Sequence, residues 1–106
     1  MGNSTPAALR LRAAVRRHER SIGDVLARYG ATNPRLFGSV ARGDARDGSD
    51  IDVLVDLIPG AGNELLRVAG LSEELTDLLG TRVDVVTELL LRDEVSATVL
   101  ADAVAV

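Results

Sequence analysis

From Asp50 the chain reads D-I-D-V-L-V-D, with acidic and β-branched residues alternating at its start. Such a run is a strand. Its period of two sends the carboxylates of Asp50 and Asp52 to one face and Ile51, Val53 and Val55 to the other. One face is therefore built for a core and the other must carry two like charges. Neighbouring carboxylates disfavour each other's ionisation unless a cation lies between them. An oxygen-only site suits Mg2+, which binds through one or two carboxylates plus substrate phosphates. Ten residues separate Asp50 from Gly38-Ser39, which supplies the phosphate end. The glycine allows close backbone approach, the hydroxyl donates a hydrogen bond, and the first N–H groups of a following helix attract anions. Together these pieces describe a site for a metal-bound nucleotide.

The rest of the composition limits what can surround that site. At 106 residues there is room for one core and no second lobe. With one Phe, one Tyr and no Trp, the core is made of Leu, Val, Ile and Ala. No apolar run approaches the roughly 20 residues that span a bilayer, and the N-terminus does not read as a signal peptide. The absence of cysteine excludes disulfides and thiolate metal sites. The expectation is a soluble cytoplasmic protein with no membrane partner.

A net charge of −4 argues against a general nucleic-acid binder, yet the charge is unevenly spread. Arg10, Arg12, Arg16, Arg17 and Arg20 face only Glu19 within the first twenty residues, whereas the remainder is strongly acidic. On a helix this cluster reads as a solvated outer face, with a docking surface for an acidic partner or an RNA as the alternative. His18 has no second His or Cys to share a metal and is expected to be an exposed helix residue.

Along the chain, residues 1–5 are expected to be a disordered start and residues 6–106 a single domain. Thr5-Pro6 fits an N-cap followed by proline at the first helical position. Leu11, Val15, Ile22, Val25, Leu26 and Tyr29 recur at helical spacing, giving one first helix that stops at Gly30. Asn33-Pro34 reads as a turn, and Arg35 to Ser39 as a short strand. Val40 to Gly43 forms one helical turn and Asp44 to Ser49 a polar loop. Ile51 to Leu57 is the second strand, ended by Pro59-Gly60-Ala61-Gly62. A helix follows between caps at Asn63 and Gly80, weakened by Gly70. Arg82 to Thr87 is the third strand, Glu88 to Ala101 a final helix and Val104 to Val106 a short edge strand.

This order predicts an α/β (α+β) fold, a small mixed β-sheet with helices packed on one face. Strands 2 and 3 become parallel neighbours through a right-handed crossover. Val83 and Val85 then face the helices, and Asp84 stands beside Asp50 and Asp52 on the open face.

Gly38-Ser39, Ala41-Arg42-Gly43, Ser49-Asp50-x-Asp52 and a later Val83-Asp84-Val85, in this order, resemble the signature of the DNA polymerase β-like nucleotidyltransferase superfamily. The short length is similar to its minimal nucleotidyltransferase (MNT) branch, the antitoxins of HEPN–MNT toxin–antitoxin pairs. The resemblance implies Asp50 and Asp52 as ligands of one or two Mg2+ ions bridging the nucleotide phosphates. It implies Ser39 and the Gly38 backbone as contacts to the β- and γ-phosphates. Asp84 would be the third carboxylate, sharing a metal and helping to deprotonate the acceptor hydroxyl. Arg42 faces the phosphates or pairs with Asp44 or Asp47. Ser49 is counted with the nucleotide-binding residues, although it and Asp47 also read as loop-shaping.

The chemistry implied is in-line attack at the α-phosphorus of ATP with loss of pyrophosphate. Positioning and electrostatics do most of the catalysis. Larger members of the superfamily carry extra domains that hold the acceptor. A chain with only the core needs a partner to present it, and in HEPN–MNT pairs that partner is the toxin. The leading expectation is an antitoxin that transfers AMP to a tyrosine hydroxyl of a HEPN ribonuclease within a hetero-oligomer. The rivals are transfer to the 3′ end of a tRNA or to a small molecule, and an antitoxin that masks its toxin without catalysis.

Overall fold

The computed structural model describes residues 4–88 and 103–106. The elements run α1 (Pro6–Arg17), α2 (Glu19–Arg28), β1 (Ala31–Phe37), α3 (Gly38–Arg42), β2 (Ile51–Leu57), α4 (Glu64–Leu79), β3 (Val83–Val86) and β4 (Val104–Ala105). The strands form one mixed sheet in the order β3-β2-β1-β4. β1 is antiparallel to both β2 and β4, and β2 is parallel to β3. The expected α/β architecture, the parallel β2–β3 pair and the C-terminal edge strand are all present. The helix expected over residues 88–101 lies, beyond Glu88, outside the described residues. Among the described residues no helix is long and apolar enough to cross a membrane.

The core lies between the helices and the apolar side of the sheet. Ile51, Val53 and Val55 of β2, Leu36 of β1, and Val83 and Val85 of β3 pack with Val15, Ile22, Val25, Leu26, Leu71 and Leu75. These are period-two residues meeting helical-period ones, as the sequence pattern requires. The far face is not wholly open, because Leu54, on the Asp52 side, is fully buried opposite Arg35.

Three local expectations are corrected. The first helix is two helices, broken at His18, whose backbone sits at φ −103° and ψ 16°. α1 packs on α3, whereas α2 packs on α4 and β1, so the helical segments serve separate neighbours. His18 is half-buried at this joint, with Nδ1 2.8 Å from the Ala14 carbonyl oxygen. Second, Asn33-Pro34 is no turn between elements but an irregularity inside β1. Pairing with β2 is interrupted between Thr32 and Arg35, and Asn33 adopts φ 52°. Asparagine tolerates that conformation, and proline is at home in a strand only at such irregular points. Third, Gly38 and Ser39 open α3 instead of ending β1.

Other boundaries follow their sequence signals. Thr5 Oγ1 caps α1 by accepting from Ala8 N–H at 3.1 Å, and Asn63 Oδ1 caps α4 by accepting from Leu66 N–H at 3.0 Å. Gly80 ends α4 in the left-handed region. α4 is continuous through Gly70, and that glycine leaves room for the ring of Tyr29. A Cβ there would lie 2.4 Å from Tyr29 Cε1.

Candidate active site

The site is assembled where β1, β2 and β3 meet α3. In the sheet register Asp52 pairs with Phe37 on one side and with Asp84 on the other. Strand periodicity therefore sets the Asp52 and Asp84 side chains next to each other on one face. Asp50 is the residue immediately before β2.

β3 is held by more than its ladder to β2. Val83 N–H donates to Thr76 Oγ1 at 2.9 Å and Val85 N–H donates to Ser72 Oγ at 3.1 Å. Two hydroxyls one turn apart on α4 thus take up donors of β3 on either side of Asp84. This blunts the strand's edge and fixes the carboxylate between them. Neither hydroxyl is singled out by the sequence, although their spacing of four residues on the helix is the available signal.

α3 follows β1 directly. Gly38 starts it at φ 72°, and its backbone lies beneath the Asp52 carboxylate. Gly43, at φ 88°, closes it, with Gly43 N–H and Asp44 N–H both donating to the Ser39 carbonyl at 3.0 Å. The helix is clamped from behind by α1. Arg12 donates through Nε to the Val40 carbonyl at 3.0 Å and through Nη2 to that of Ala41. Arg12 therefore does not belong to the solvated arginine face read from the sequence. Thr5, the last residue of the expected disordered start, donates its N–H to the Gly43 carbonyl at 2.8 Å and its hydroxyl to that of Ala45.

The remaining site residues are placed as follows. Arg42 pairs with Asp44, Nε to Oδ2 at 3.3 Å, while its charge also acts on Asp52. Ser49 accepts from Arg46 N–H at 2.8 Å, and its own N–H donates to the Arg46 carbonyl at 2.9 Å. It shapes the loop. Asp47 ties that loop to α1 through Arg10 at 2.6 Å. Arg82, which sequence reasoning missed, stands with Nε 3.5 Å from Asp84 Oδ1 and 3.8 Å from Asp50 Oδ2. The signal was there, since Arg82 and Asp84 are two apart at the start of a strand.

Charge is unbalanced at the centre. Burial, then the carboxylates of Asp84 and Asp50, push the Asp52 carboxyl from its ordinary 3.8 up to about 6, against a smaller opposing pull from Arg42. A divalent cation would relieve this repulsion, and three hard oxygen donors suit one. Among the described residues no three His, Cys, Asp or Glu side chains close into a metal cage by themselves. Carboxylate oxygens of this kind suit an ion that completes its coordination with water and substrate phosphates, as is usual for Mg2+.

A cleft of about 380 Å³ opens beside Asp50, lined among others by Arg10, Arg46, Asp47 and Arg82. A larger cavity of about 440 Å³ lies at the other end of β2, around Asp56, Pro59 and Thr87, and none of the three site carboxylates lines it.

Residues 19–106 match the nucleotidyltransferase domain family. The chain belongs to that family. This nucleotidyltransferase is 42% identical over 79 residues to a protein adenylyltransferase of Thermococcus cleftensis, covering 73% of this chain and 76% of the relative. It is 41% identical over 69 residues to a protein of Methanocaldococcus jannaschii assigned as a protein adenylyltransferase, covering 65% of this chain and 72% of the relative. A solved structure assigned as a minimal nucleotidyltransferase superposes with a TM-score of 0.76 at 41% identity, over 91% of this chain and 95% of that one. A toxin–antitoxin crystal structure with AMP-PNP shares the fold, at a TM-score of 0.64 and 23% identity over 82% of this chain and 70% of that one.

Proposed function

We propose that this nucleotidyltransferase uses Mg2+ to move AMP from ATP to a tyrosine hydroxyl of a HEPN ribonuclease toxin, in the cytoplasm, and so acts as its antitoxin. The observation that carries the chemistry is the register pairing of Asp52 with Asp84 beside the Gly38-Ser39 turn. This closeness supports a reading in which Asp52 and Asp84 hold the metal and the Gly38-Ser39 backbone binds phosphate.

When bound, Mg2+ would neutralise phosphate charge and lower the pKa of the attacking hydroxyl. Asp50 and Asp52 would hold it, with Asp84 sharing. Ser39 and the Gly38 backbone orient the β- and γ-phosphates, and the clamp of Arg12 on α3 keeps that turn in place. Asp84 takes the proton of the acceptor hydroxyl. The hydroxyl oxygen bonds to the α-phosphorus while the bond to the bridging oxygen breaks, and pyrophosphate leaves in line. No covalent enzyme intermediate is required.

A protein acceptor is supported by the relatives described as protein adenylyltransferases. A toxin as that acceptor is supported by the fold shared with toxin–antitoxin assemblies, one of them crystallised with AMP-PNP. The open cleft beside Asp50 supports an acceptor delivered by another chain.

The test is the intact mass of the cognate toxin after incubation with this chain, Mg2+ and ATP, with Asp50→Asn/Asp52→Asn in parallel. Mass gains in steps of AMP that vanish with the variant are expected, and peptide mapping should place them on tyrosine. An unchanged mass with a stable, inactive complex would instead establish masking. Labelled RNA with unlabelled protein would establish a nucleic-acid acceptor.

A further inference from the structure

Arg82 is the last residue before β3, and its carbonyl accepts from Ile51 N–H at 2.9 Å, which fixes its backbone at the mouth of the β2–β3 ladder. Two positions before Asp84, it projects from the same face. Its Nε lies 3.5 Å from Asp84 Oδ1 and 3.8 Å from Asp50 Oδ2. It thus stands between two carboxylates assigned above to the metal. These separations are too long for a bidentate fork and describe a charge held near two others.

Arg42, a further cation near the site, pairs with Asp44, and its charge also acts on Asp52. Arg82 is paired with site carboxylates themselves. A guanidinium can only donate hydrogens to oxygens, whereas a metal needs those oxygens' lone pairs, so the two compete for the same atoms. The Arg82 side chain is 72% exposed, which makes its hold weak and reversible.

We infer that Arg82 is the resident counter-cation of the Asp50–Asp84 pair, and that an entering divalent ion must displace it. Arg82 thereby sets the metal affinity of the nucleotide-free protein. It is a positioning residue that acts through the two carboxylates, and it biases the site toward loading metal together with nucleotide phosphates. This rests on the reading of Asp50 and Asp84 as metal ligands.

The test is Mn2+ titration of the nucleotide-free protein at neutral pH, with free Mn2+ followed by its electron paramagnetic resonance signal. Arg82→Gln should bind Mn2+ about two- to fivefold more tightly than the unmodified chain, the scale of one exposed ion pair. Arg82→Lys, which keeps the charge, should restore the original affinity. Unchanged or weaker binding in Arg82→Gln overturns the inference. So does an Arg82→Lys affinity as tight as that of Arg82→Gln, which would trace the effect to shape and not charge. Asp50→Asn/Asp52→Asn separates the two levels of argument. If that variant keeps Mn2+ binding, the metal-site reading itself fails. If it loses Mn2+ while Arg82→Gln matches the original chain, only the role of Arg82 fails.

Discussion

A Cβ placed on Gly38 would lie 2.4 Å from Oδ2 of Asp52. The glycine is therefore favoured twice: its φ of 72° lies where most side chains are strained, and any side chain would push the carboxylate out of place. Gly38→Ala should cost about 1–3 kcal/mol of stability from the left-handed backbone. It should also abolish most transferase activity, by more than about a hundredfold, because a 1 Å misplacement of a reacting group has that effect. Gly60→Ala is the control. Gly60 has φ 77° with nothing within 4 Å of a Cβ, so it bears the backbone strain without the clash and should keep its activity. Denaturant melts and initial rates on both variants check this.

The Asp52 carboxyl gives a pH dependence whose sign is opposite to that of a salt-bridged acid. Its folded value is raised, to about 6 against an ordinary 3.8, so the folded state binds a proton more readily than the unfolded one. Stability is therefore lost as pH rises from about 4 through 6, and the penalty is complete above that. Asp52 is only half-buried, so solvent screening reduces the cost to about 1–2 kcal/mol. Asp52→Asn should be more stable than the unmodified chain by that amount at pH 7.5 without metal, and the difference should shrink toward pH 4. Mg2+ with ATP should raise the melting temperature of the original chain and not of the variant. Thermal melts across this pH range test both statements.

Much of this site was legible because its logic is local. Gly38-Ser39 and Asp50-x-Asp52 are only ten residues apart, and the period of β2 decides which way the carboxylates point. Asp84 followed from a second strand with the same alternation and a helix long enough for a parallel crossover. What escaped the sequence was long-range. Nothing in R-L-R-A-A-V-R-R tells that Arg12 turns inward to two carbonyls of α3 while its neighbours face water, since that depends on α1 ending at His18. Ser72 and Thr76 look like ordinary helix residues until β3 is laid against them. The irregularity at Asn33-Pro34 was mistaken for a turn because both residues favour turns, and only pairing on either side of them reveals one strand.

Tyr29 and Gly70 form a second coupled pair, remote from the chemistry. The Tyr29 hydroxyl donates to Glu74, which also pairs with Arg28, and the ring occupies the space a Gly70 side chain would need. Accepting that hydrogen bond lowers the Glu74 carboxyl below its usual range and raises the Tyr29 hydroxyl above its own. Alanine in a helix interior is ordinarily worth about 1 kcal/mol over glycine. Here overpacking against the ring costs about 1–3 kcal/mol, so Gly70→Ala should destabilise on balance. In a Tyr29→Ala background the clash is gone and the same substitution should stabilise. A double-mutant cycle by urea denaturation reads this sign reversal directly.

Arg12 should separate stability from turnover. Its guanidinium reaches two carbonyls at the end of α3, Val40 by Nε and Ala41 by Nη2, from a half-buried position. The fork of an arginine spans both acceptors, which the single ammonium of a lysine does not do. Removing it leaves those carbonyls without their charged donor and loosens the helix whose first residues are proposed to hold the phosphates. Arg12→Ala should cost about 1–3 kcal/mol, the worth of hydrogen bonds to a charged group. Because Ser39 and Gly38 would then be poorly held, KM for ATP should rise by about tenfold with a smaller change in kcat, the signature of lost ground-state binding. Arg12→Lys should recover little of either. An Arg12→Ala protein with melting temperature lowered but KM intact would show that the clamp serves folding alone. Steady-state kinetics beside thermal melts decide between the two.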